Sequence, residues 1–125
     1  MDIPQQRQLI YIGSSERDLE KLPKEVKDTF VFGLFQALSG KKHTNAKPLH
    51  GFGGASVLEI VEDHRSGTYR AVYTVRFKRA VYLLHVFQKK SKKGIATPKN
   101  EIDRVKKRLK DAELDYRERY PKEGS

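Results

Sequence analysis

Three apolar runs separated by short polar turns lie between residues 57 and 88, and they constrain the fold more than any other feature. The runs cover residues 57–61, 69–77 and 80–88, and the turns cover residues 63–67 and 78–79. Connections this short join neighbouring strands, and β-branched and aromatic residues dominate the runs, so the pattern predicts an antiparallel β-meander. Period-two alternation assigns one face of the middle strand to Tyr69, Ala71, Tyr73, Val75 and Phe77. By the same alternation, one face of the last strand carries Val81, Leu83, His85 and Phe87.

The segment before the meander predicts a strand and two helices. Residues 8–12 are apolar and end at Gly13, as expected for a first strand. Ser14 or Ser15 is suited to cap a short helix, and Pro23 suits the first turn of a second helix that ends at Gly40. The apolar spacing from residue 26 to residue 38 gives this second helix one face that covers the sheet. Residues 41–55 are rich in Gly, Lys and His and predict a loop.

A last helix is predicted after the meander, with Thr97 as its cap and Pro98 at its first helical position. Its apolar seam consists of Ile102, Val105, Leu109, Ala112 and Tyr116. The predicted element order is therefore β-α-α-β-β-β-α. The fold class is α+β, with an N-terminal strand and helical hairpin, an antiparallel meander and a C-terminal helix. We expect one domain over residues 1–125, with an ordered core at about residues 7–120.

Composition excludes several classes of protein. The chain has 125 residues and no cysteine, which excludes a disulfide scaffold, a thiolate metal site and a cysteine nucleophile. No apolar run approaches the roughly 18–20 residues of a membrane span, and no secretory signal begins the chain, so we expect a cytoplasmic protein. The histidines at 43, 50, 64 and 85 have no metal-ligand spacing, and the glycines at 51, 53 and 54 form no phosphate loop. We therefore expect neither a metal nor a cofactor.

Positive charge is concentrated in one part of the chain. The net charge of +10 divides into −1 over residues 1–63, +13 over residues 64–110 and −2 over residues 111–125. A field concentrated in this way attracts polyanions, among which nucleic acid is the commonest in cells. The alternative, that the cations merely keep a small domain soluble, explains the total charge better than it explains the local excess.

Three cations and one histidine of the meander are candidate site residues. Arg70 lies inside the middle strand, where it either forms a salt bridge across the sheet to Glu59 or Glu62, or points from the solvent face of the sheet and holds a phosphate. Lys89 and Lys90 follow the neighbouring strand and reach the same area. His85 shares a predicted face with apolar residues, which favours a hydrogen-bonded core histidine.

Two segments of the meander resemble the RelE/ParE toxin superfamily of toxin–antitoxin systems, and within it the phage-related HigB-like branch. They are TYRAVY at residues 68–73 and VYLLHVFQKKS at residues 81–91, and the segments KPL (47–49), VLEI (57–60) and TP (97–98) fit the same branch. The resemblance extends from about residue 9 to residue 116. It implies a sheet packed by a helical hairpin and a C-terminal helix, and for most RelE and HigB members a ribosome-dependent endoribonuclease that cuts mRNA without a metal.

The resemblance also implies roles for individual residues. Arg70 corresponds to the arginine that stabilises phosphate charge, and Lys89 and Lys90 correspond to the basic pair after the last strand. His85 and His50 are candidates for the general acid and base. The further residues expected to contact RNA are Lys47, Arg65, Arg76, Lys92 and Lys93. The chain departs from RelE by carrying Glu59 and Glu62 on a strand where RelE has lysines.

The implied partners are a helix-turn-helix antitoxin, mRNA and the ribosome. Two alternatives stay open at this point. One is a ParE-like toxin that poisons DNA gyrase without cutting RNA. The other is an inactive, phage-derived module that binds nucleic acid.

Overall fold

The structure, a computed structural model, describes residues 7–89 and 97–123. Its elements are β1 (Gln8–Tyr11), α1 (Ser15–Glu20), α2 (Lys24–Leu38), β2 (Ala46–Pro48), β3 (Val57–His64), β4 (Gly67–Thr74), β5 (Ala80–Lys89) and α3 (Lys99–Arg119), followed by a short 3-10 turn (Pro121–Glu123). The strands form one sheet in the order β1-β5-β4-β3-β2. The α+β prediction is confirmed, with one strand more than expected.

The additional strand is β2, a three-residue edge strand inside the segment predicted as a loop. It pairs antiparallel with β3, so that Lys47 lies opposite Glu59 and Pro48 opposite Leu58. A strand this short shows no periodicity, and its proline favours an edge position because it has no N–H to donate. The predicted meander of β3, β4 and β5 is antiparallel throughout. β1 pairs with β5 in parallel, from Gln8 opposite Ala80 to Tyr11 opposite Leu83.

Helices cover both faces of the sheet. α1 and α2 lie on one face, where Val26, Phe30 and Leu34 are buried against strand residues that include Ile60 and Tyr73. α3 lies on the other face along β5. Its predicted apolar seam is confirmed, since its buried residues are Val105, Leu109, Ala112 and Tyr116, with Ile102 packed against them. The contacts of α3 with the sheet are chiefly to β5.

Alternation along β5 is interrupted by a bulge. The pairing shifts between Val72 opposite His85 and Tyr73 opposite Leu83, so that Leu84 is inserted without a partner. Val81, Leu83 and Val86 therefore pack on the α1–α2 side, while Leu84 packs on the α3 side. His85 bonds to α3, so the predicted sharing of a face by His85, Val81 and Leu83 is wrong.

The middle strand also ends earlier than predicted. β4 stops at Thr74, and the chain then turns so that Phe77 stacks on Tyr116 of α3, with ring centroids 4.7 Å apart. The prediction that Phe77 shares a face with Tyr69 and Tyr73 is therefore wrong, because period-two alternation applies only while the chain stays in the strand. Over the two ranges that the structure describes, no helix is both long and apolar enough to cross a membrane.

Candidate phosphate-binding site

Five side chains from five segments meet on the α3 side of the sheet, near the end of β5. They are Lys47 from β2, Glu59 from β3, Arg70 from β4, Lys89 from β5 and Thr97 just before α3, and we call them the Arg70 cluster. Strand register explains the convergence. Glu59 lies directly opposite Lys47, whereas Arg70 lies opposite Val61 and Phe87, which makes Glu59 and Lys89 its diagonal neighbours on the same face.

Arg70 is held by Glu59 at the centre of the cluster. Its Nη1 donates to Glu59 Oε1 at 3.0 Å and Oε2 at 3.1 Å, and it lies 3.0 Å from Thr97 Oγ1. The Thr97 hydroxyl donates in turn to Glu59 Oε2 at 3.2 Å. Both members of the ion pair are almost fully buried, with 4% of Arg70 and 4% of Glu59 exposed. Of the two predictions for Arg70, the salt bridge to Glu59 is confirmed, and a position on a solvent-exposed face is wrong.

Two lysines add positive charge around this pair. The Lys47 side chain is 63% exposed and its Nζ lies 4.0 Å from Glu59 Oε1. Lys89 is 6% exposed. Burial, Arg70 and Lys47 lower the pKa of the Lys89 ammonium, while Glu59 acts in the opposite direction. The cluster therefore combines three cations with one carboxylate, and its surplus of positive charge suits a phosphate group.

Thr97 belongs to this cluster and not to a helix cap. The N-cap of α3 is Pro98, which makes no side-chain cap bond, and the helix begins at Lys99. The predicted capping role of Thr97 is therefore wrong, because its hydroxyl bonds to Arg70 and Glu59. Thr97 thereby ties the start of α3, with its partial positive charge, to the charged centre of the sheet.

His85 is a buried, hydrogen-bonded histidine, as the sequence favoured. Its Nε2 donates to Glu101 Oε1 at 2.7 Å, and its Nδ1 accepts from Arg108 Nη1 at 3.3 Å. Burial lowers the pKa of the imidazole, and the bond to Glu101 acts against that shift. A ring nitrogen that accepts from a guanidinium carries no proton, so these contacts assign the neutral Nε2–H form. The ring also stacks on Phe87, with ring centroids 4.8 Å apart. His85 is therefore held against α3, and both of its ring nitrogens have hydrogen-bond partners.

The remaining predicted residues do not join the cluster. Arg65 is exposed in the β3–β4 turn. Arg76 lies beyond the opposite end of β4 and pairs with Glu113 of α3 at 3.3 Å. His50 is exposed in the loop after β2. Lys90, Lys92 and Lys93 lie outside the described residues.

Sequence reasoning missed Glu59 and Thr97 as site residues. Glu59 is the carboxylate in the middle of the apolar run 57–61, and a charged side chain in such a run signals a buried partner. Thr97 carried no comparable signal, because a threonine before a proline also fits an ordinary helix start. Within residues 7–89 and 97–123, no group of three or more histidine and carboxylate side chains is placed to hold a metal ion.

Comparison with protein families identifies the relatives of this chain. The profile of the family described as "Phage derived protein Gp49-like (DUF891)" matches residues 17–110, which is well over half of the sequence. The chain belongs to this family. The resemblance to the RelE/ParE toxin superfamily is thereby confirmed.

Two solved structures are similar to this chain. A mutant of the Escherichia coli toxin RelE in the free state is 20% identical, with a TM-score of 0.55, and the match covers 83% of this chain and 98% of RelE. The toxin–antitoxin complex RelBE2 from Mycobacterium tuberculosis is 26% identical, with a TM-score of 0.46, and the match covers 73% of this chain and 100% of the other. Curated proteins include no match to the chain. The likeness to RelE establishes a RelE-like fold.

Proposed function

We propose that this protein is the toxin of a type II toxin–antitoxin pair and acts as a ribosome-dependent mRNA endoribonuclease. The observation that carries the proposal is the Arg70 cluster, in which Lys47, Arg70 and Lys89 surround one carboxylate near the end of β5. Membership of the Gp49-like family and the RelE-like fold support the same function.

The proposed reaction uses the ribose 2′-hydroxyl of the RNA as the nucleophile, so that the protein supplies orientation and charge. The 2′-oxygen attacks the adjacent phosphorus, the 5′-oxygen of the next nucleotide leaves, and the 2′-proton goes to a base while an acid protonates the leaving oxygen. In the phosphorane between these steps, the negative charge increases, and preorganised cations stabilise it more than they stabilise the substrate. Arg70, Lys47 and Lys89 are the groups that we assign to this task.

Glu59 and Lys89 have more specific proposed roles. Glu59 orients the guanidinium of Arg70 through two hydrogen bonds, so Arg70 is preorganised before RNA arrives. Lys89 has a lowered pKa, which brings its ammonium closer to the range useful for proton transfer and makes it our candidate for the acid that protonates the leaving oxygen. His85 acts as a positioning residue for the end of β5, because Glu101 and Arg108 occupy both of its ring nitrogens.

The proposed partners follow from the charge. A helix-turn-helix antitoxin would cover part of the basic surface, and mRNA together with ribosomal RNA would be bound by the cations of residues 64–110, including Arg65 and Arg76. Such a toxin acts in the cytoplasm, where ribosomes translate.

Induced expression with a readout of ribosome-bound mRNA cleavage tests this function. The wild type should arrest growth and cut mRNA on ribosomes, and Arg70→Lys should reduce cleavage by about a hundredfold or more, since it keeps the charge but loses the planar fork. Arg17→Lys is the matched control, because Arg17 is exposed on α1 across the sheet from the cluster. Circular dichroism and a thermal melt show whether each variant is folded.

Two other outcomes would replace the proposal. Growth arrest with intact mRNA and reduced gyrase activity would establish a ParE-like toxin instead. Neither arrest nor cleavage by the folded wild type would leave a non-catalytic module that binds nucleic acid. One observation favours that second candidate: Glu59 neutralises Arg70 and competes with phosphate for it. For such a module, Glu59→Gln should tighten RNA binding without producing cleavage.

A further inference from the structure

A cavity of about 250 Å³ lies on the face of the sheet opposite to the Arg70 cluster. It is bounded by the end of α2 near Ala37, by Pro48 of β2, by Leu58 of β3 and by Val75 just after β4. Leu58 and Ala37 belong to the core between the sheet and α2, so the cavity opens directly from that core. It therefore shares neither a face nor a residue with the proposed phosphate-binding site.

The floor of this cavity is aliphatic. Ala37, Pro48, Leu58 and Val75 line it, and no aromatic side chain lines it within the part of the chain that the structure describes. Its volume falls just below the roughly 300–1,000 Å³ of pockets for drug-sized ligands. A space of this size and chemistry suits one or two aliphatic side chains of a partner better than a nucleobase, since single-stranded nucleic acid binds through stacking on aromatic rings.

The rim of the cavity is cationic. Arg7, Lys41 and Lys42 line it, and among the described residues none that lines the cavity is acidic. Arg7 is anchored there, because its Nη1 donates to the carbonyl oxygen of Val75 at 3.3 Å and its backbone N–H donates to the carbonyl oxygen of Leu38. Lys41 and Lys42 follow the end of α2 and are exposed.

The end of α2 does not account for this charge. A helix C-terminus carries the equivalent of about half a negative charge, and lysines beside it are stabilising for that reason alone. Three cations exceed that demand several-fold. The backbone N–H groups of Ser39, Gly40 and Lys41 already satisfy carbonyl groups of the last turn. The surplus positive charge is therefore available to a ligand.

We propose that this cavity docks a segment of a partner protein in which an aliphatic side chain is flanked by carboxylates. The aliphatic side chain enters the floor, where it extends the core, and the carboxylates pair with Arg7, Lys41 and Lys42. The proposal does not depend on the endoribonuclease function, because the cavity and the Arg70 cluster lie on opposite faces.

Fluorescence anisotropy with labelled peptides tests the docking site on the full chain. The probes are pentapeptides with two acidic residues on each side of a central Leu, Ile, Val or Ser, at about 0.1 M salt, where exposed charges more than about 10 Å apart are largely screened. We expect the best aliphatic peptide to bind at least about tenfold more tightly than the serine peptide, from the apolar area that one side chain buries. Ala55→Leu, at an exposed lining position, should reduce binding of that peptide by a similar factor.

The charge requirement is tested with paired lysine variants. Lys41→Gln/Lys42→Gln should weaken binding of the aliphatic peptide about tenfold. Lys21→Gln/Lys24→Gln is the control, because it also removes two positive charges but lies just before α2 and at its start, and it should leave binding unchanged. Growth arrest and mRNA cleavage should be the same in both variants, so failure of docking and failure of the proposed function are distinguishable.

Several results would overturn the docking site. Equal binding of the aliphatic and serine peptides, or no binding of either, would remove the apolar anchor from the proposal. Equal weakening in the two lysine variants would reduce the effect to non-specific charge. Displacement of the peptide from the cavity by a short single-stranded RNA, with loss of RNA binding in Ala55→Leu, would assign the cavity to nucleic acid instead.

Discussion

Replacing Arg70 with methionine while Glu59 is retained should destabilise the protein more than replacing both residues together. The two side chains are each about 4% exposed, and one guanidinium nitrogen bonds to both carboxylate oxygens. Arg70→Met keeps much of the side-chain volume but leaves the Glu59 carboxylate buried without its main partner. Glu59→Met leaves Arg70 buried beside Lys89 and Lys47, with no carboxylate among them.

The expected magnitudes differ between the two single variants. Breaking a buried ion pair from one side costs about 3–5 kcal/mol of unfolding free energy. We expect Arg70→Met to lose about 3 kcal/mol of unfolding free energy, because Lys47 lies 4.0 Å from Glu59 and still offsets its charge. We expect Glu59→Met to lose about 5 kcal/mol, since it leaves only like charges in the cluster. The double variant leaves no unpaired member of the pair and should lose about 2 kcal/mol or less, whereas the two single losses add up to about 8 kcal/mol, which is a coupling of at least about 6 kcal/mol.

Urea unfolding at constant pH and salt, followed by circular dichroism, measures all four proteins of this cycle. The single variants should also melt about 10–20 °C below the wild type, from a shift of roughly 3–5 °C per kcal/mol for a chain of this length. Additive losses, or single losses below about 1 kcal/mol, would contradict the buried ion pair. A larger loss for Arg70→Met than for Glu59→Met would contradict the view that surplus positive charge surrounds the pair.

Three further predictions concern other parts of the molecule. Because burial lowers the pKa of His85, this residue contributes its full stability above its pKa in the unfolded chain, about 6.5, and the contribution is lost as the pH falls through the lower pKa of the folded state. NMR titration of the ring and urea unfolding at several pH values measure this, and a normal or raised pKa would contradict it. Gly13→Ala should lower the melting temperature more than Gly40→Ala. Both glycines have a positive φ, but only a Cβ at Gly13 would meet the Arg108 guanidinium, at 2.9 Å. Equal losses of melting temperature would refute the contact. Tyr73→Phe should be neutral or stabilising by up to about 1 kcal/mol in urea unfolding, because the buried hydroxyl has no hydrogen-bond partner among the described residues, and a clear loss would reveal one.

Local patterns predicted most of the fold because the elements that they describe are long or are joined by short turns. The meander and the seam of α3 are of this kind. The bulge at Leu84 was not predictable, because an inserted residue becomes visible only through its pairing with β4. The parallel pairing of β1 with β5 is a non-local choice that no feature of residues 8–12 specifies. β2 was missed because three residues show no period.

The structure brings predicted site residues together where charge and strand position coincide. Arg70 and Lys89 were found because a basic residue inside or at the end of an apolar strand is conspicuous, and Lys47 was included with them. The sequence indicates Glu59 only as a salt-bridge partner of Arg70 and as a departure from RelE. The negative charge of Glu59 is opposite to the charge that a phosphate site requires, but its carboxylate orients Arg70. Arg76 belongs to the same basic segment of the sequence, but it lies beyond the end of β4, away from the cluster, and pairs with Glu113 of α3.

The parallel pairing of β1 with β5 affects the order in which the protein assembles during its own synthesis. β1 is translated well before its hydrogen-bonding partner, which begins at Ala80, so β1 waits while the residues between them are made. The β3–β4–β5 meander has only short connections and forms locally, as pairings between near neighbours in sequence do. Thr97, which ties Arg70 and Glu59 together, is translated later still. A ribosome that makes this protein has therefore translated the chain as far as Thr97 before the surface that we propose acts on ribosomes is complete.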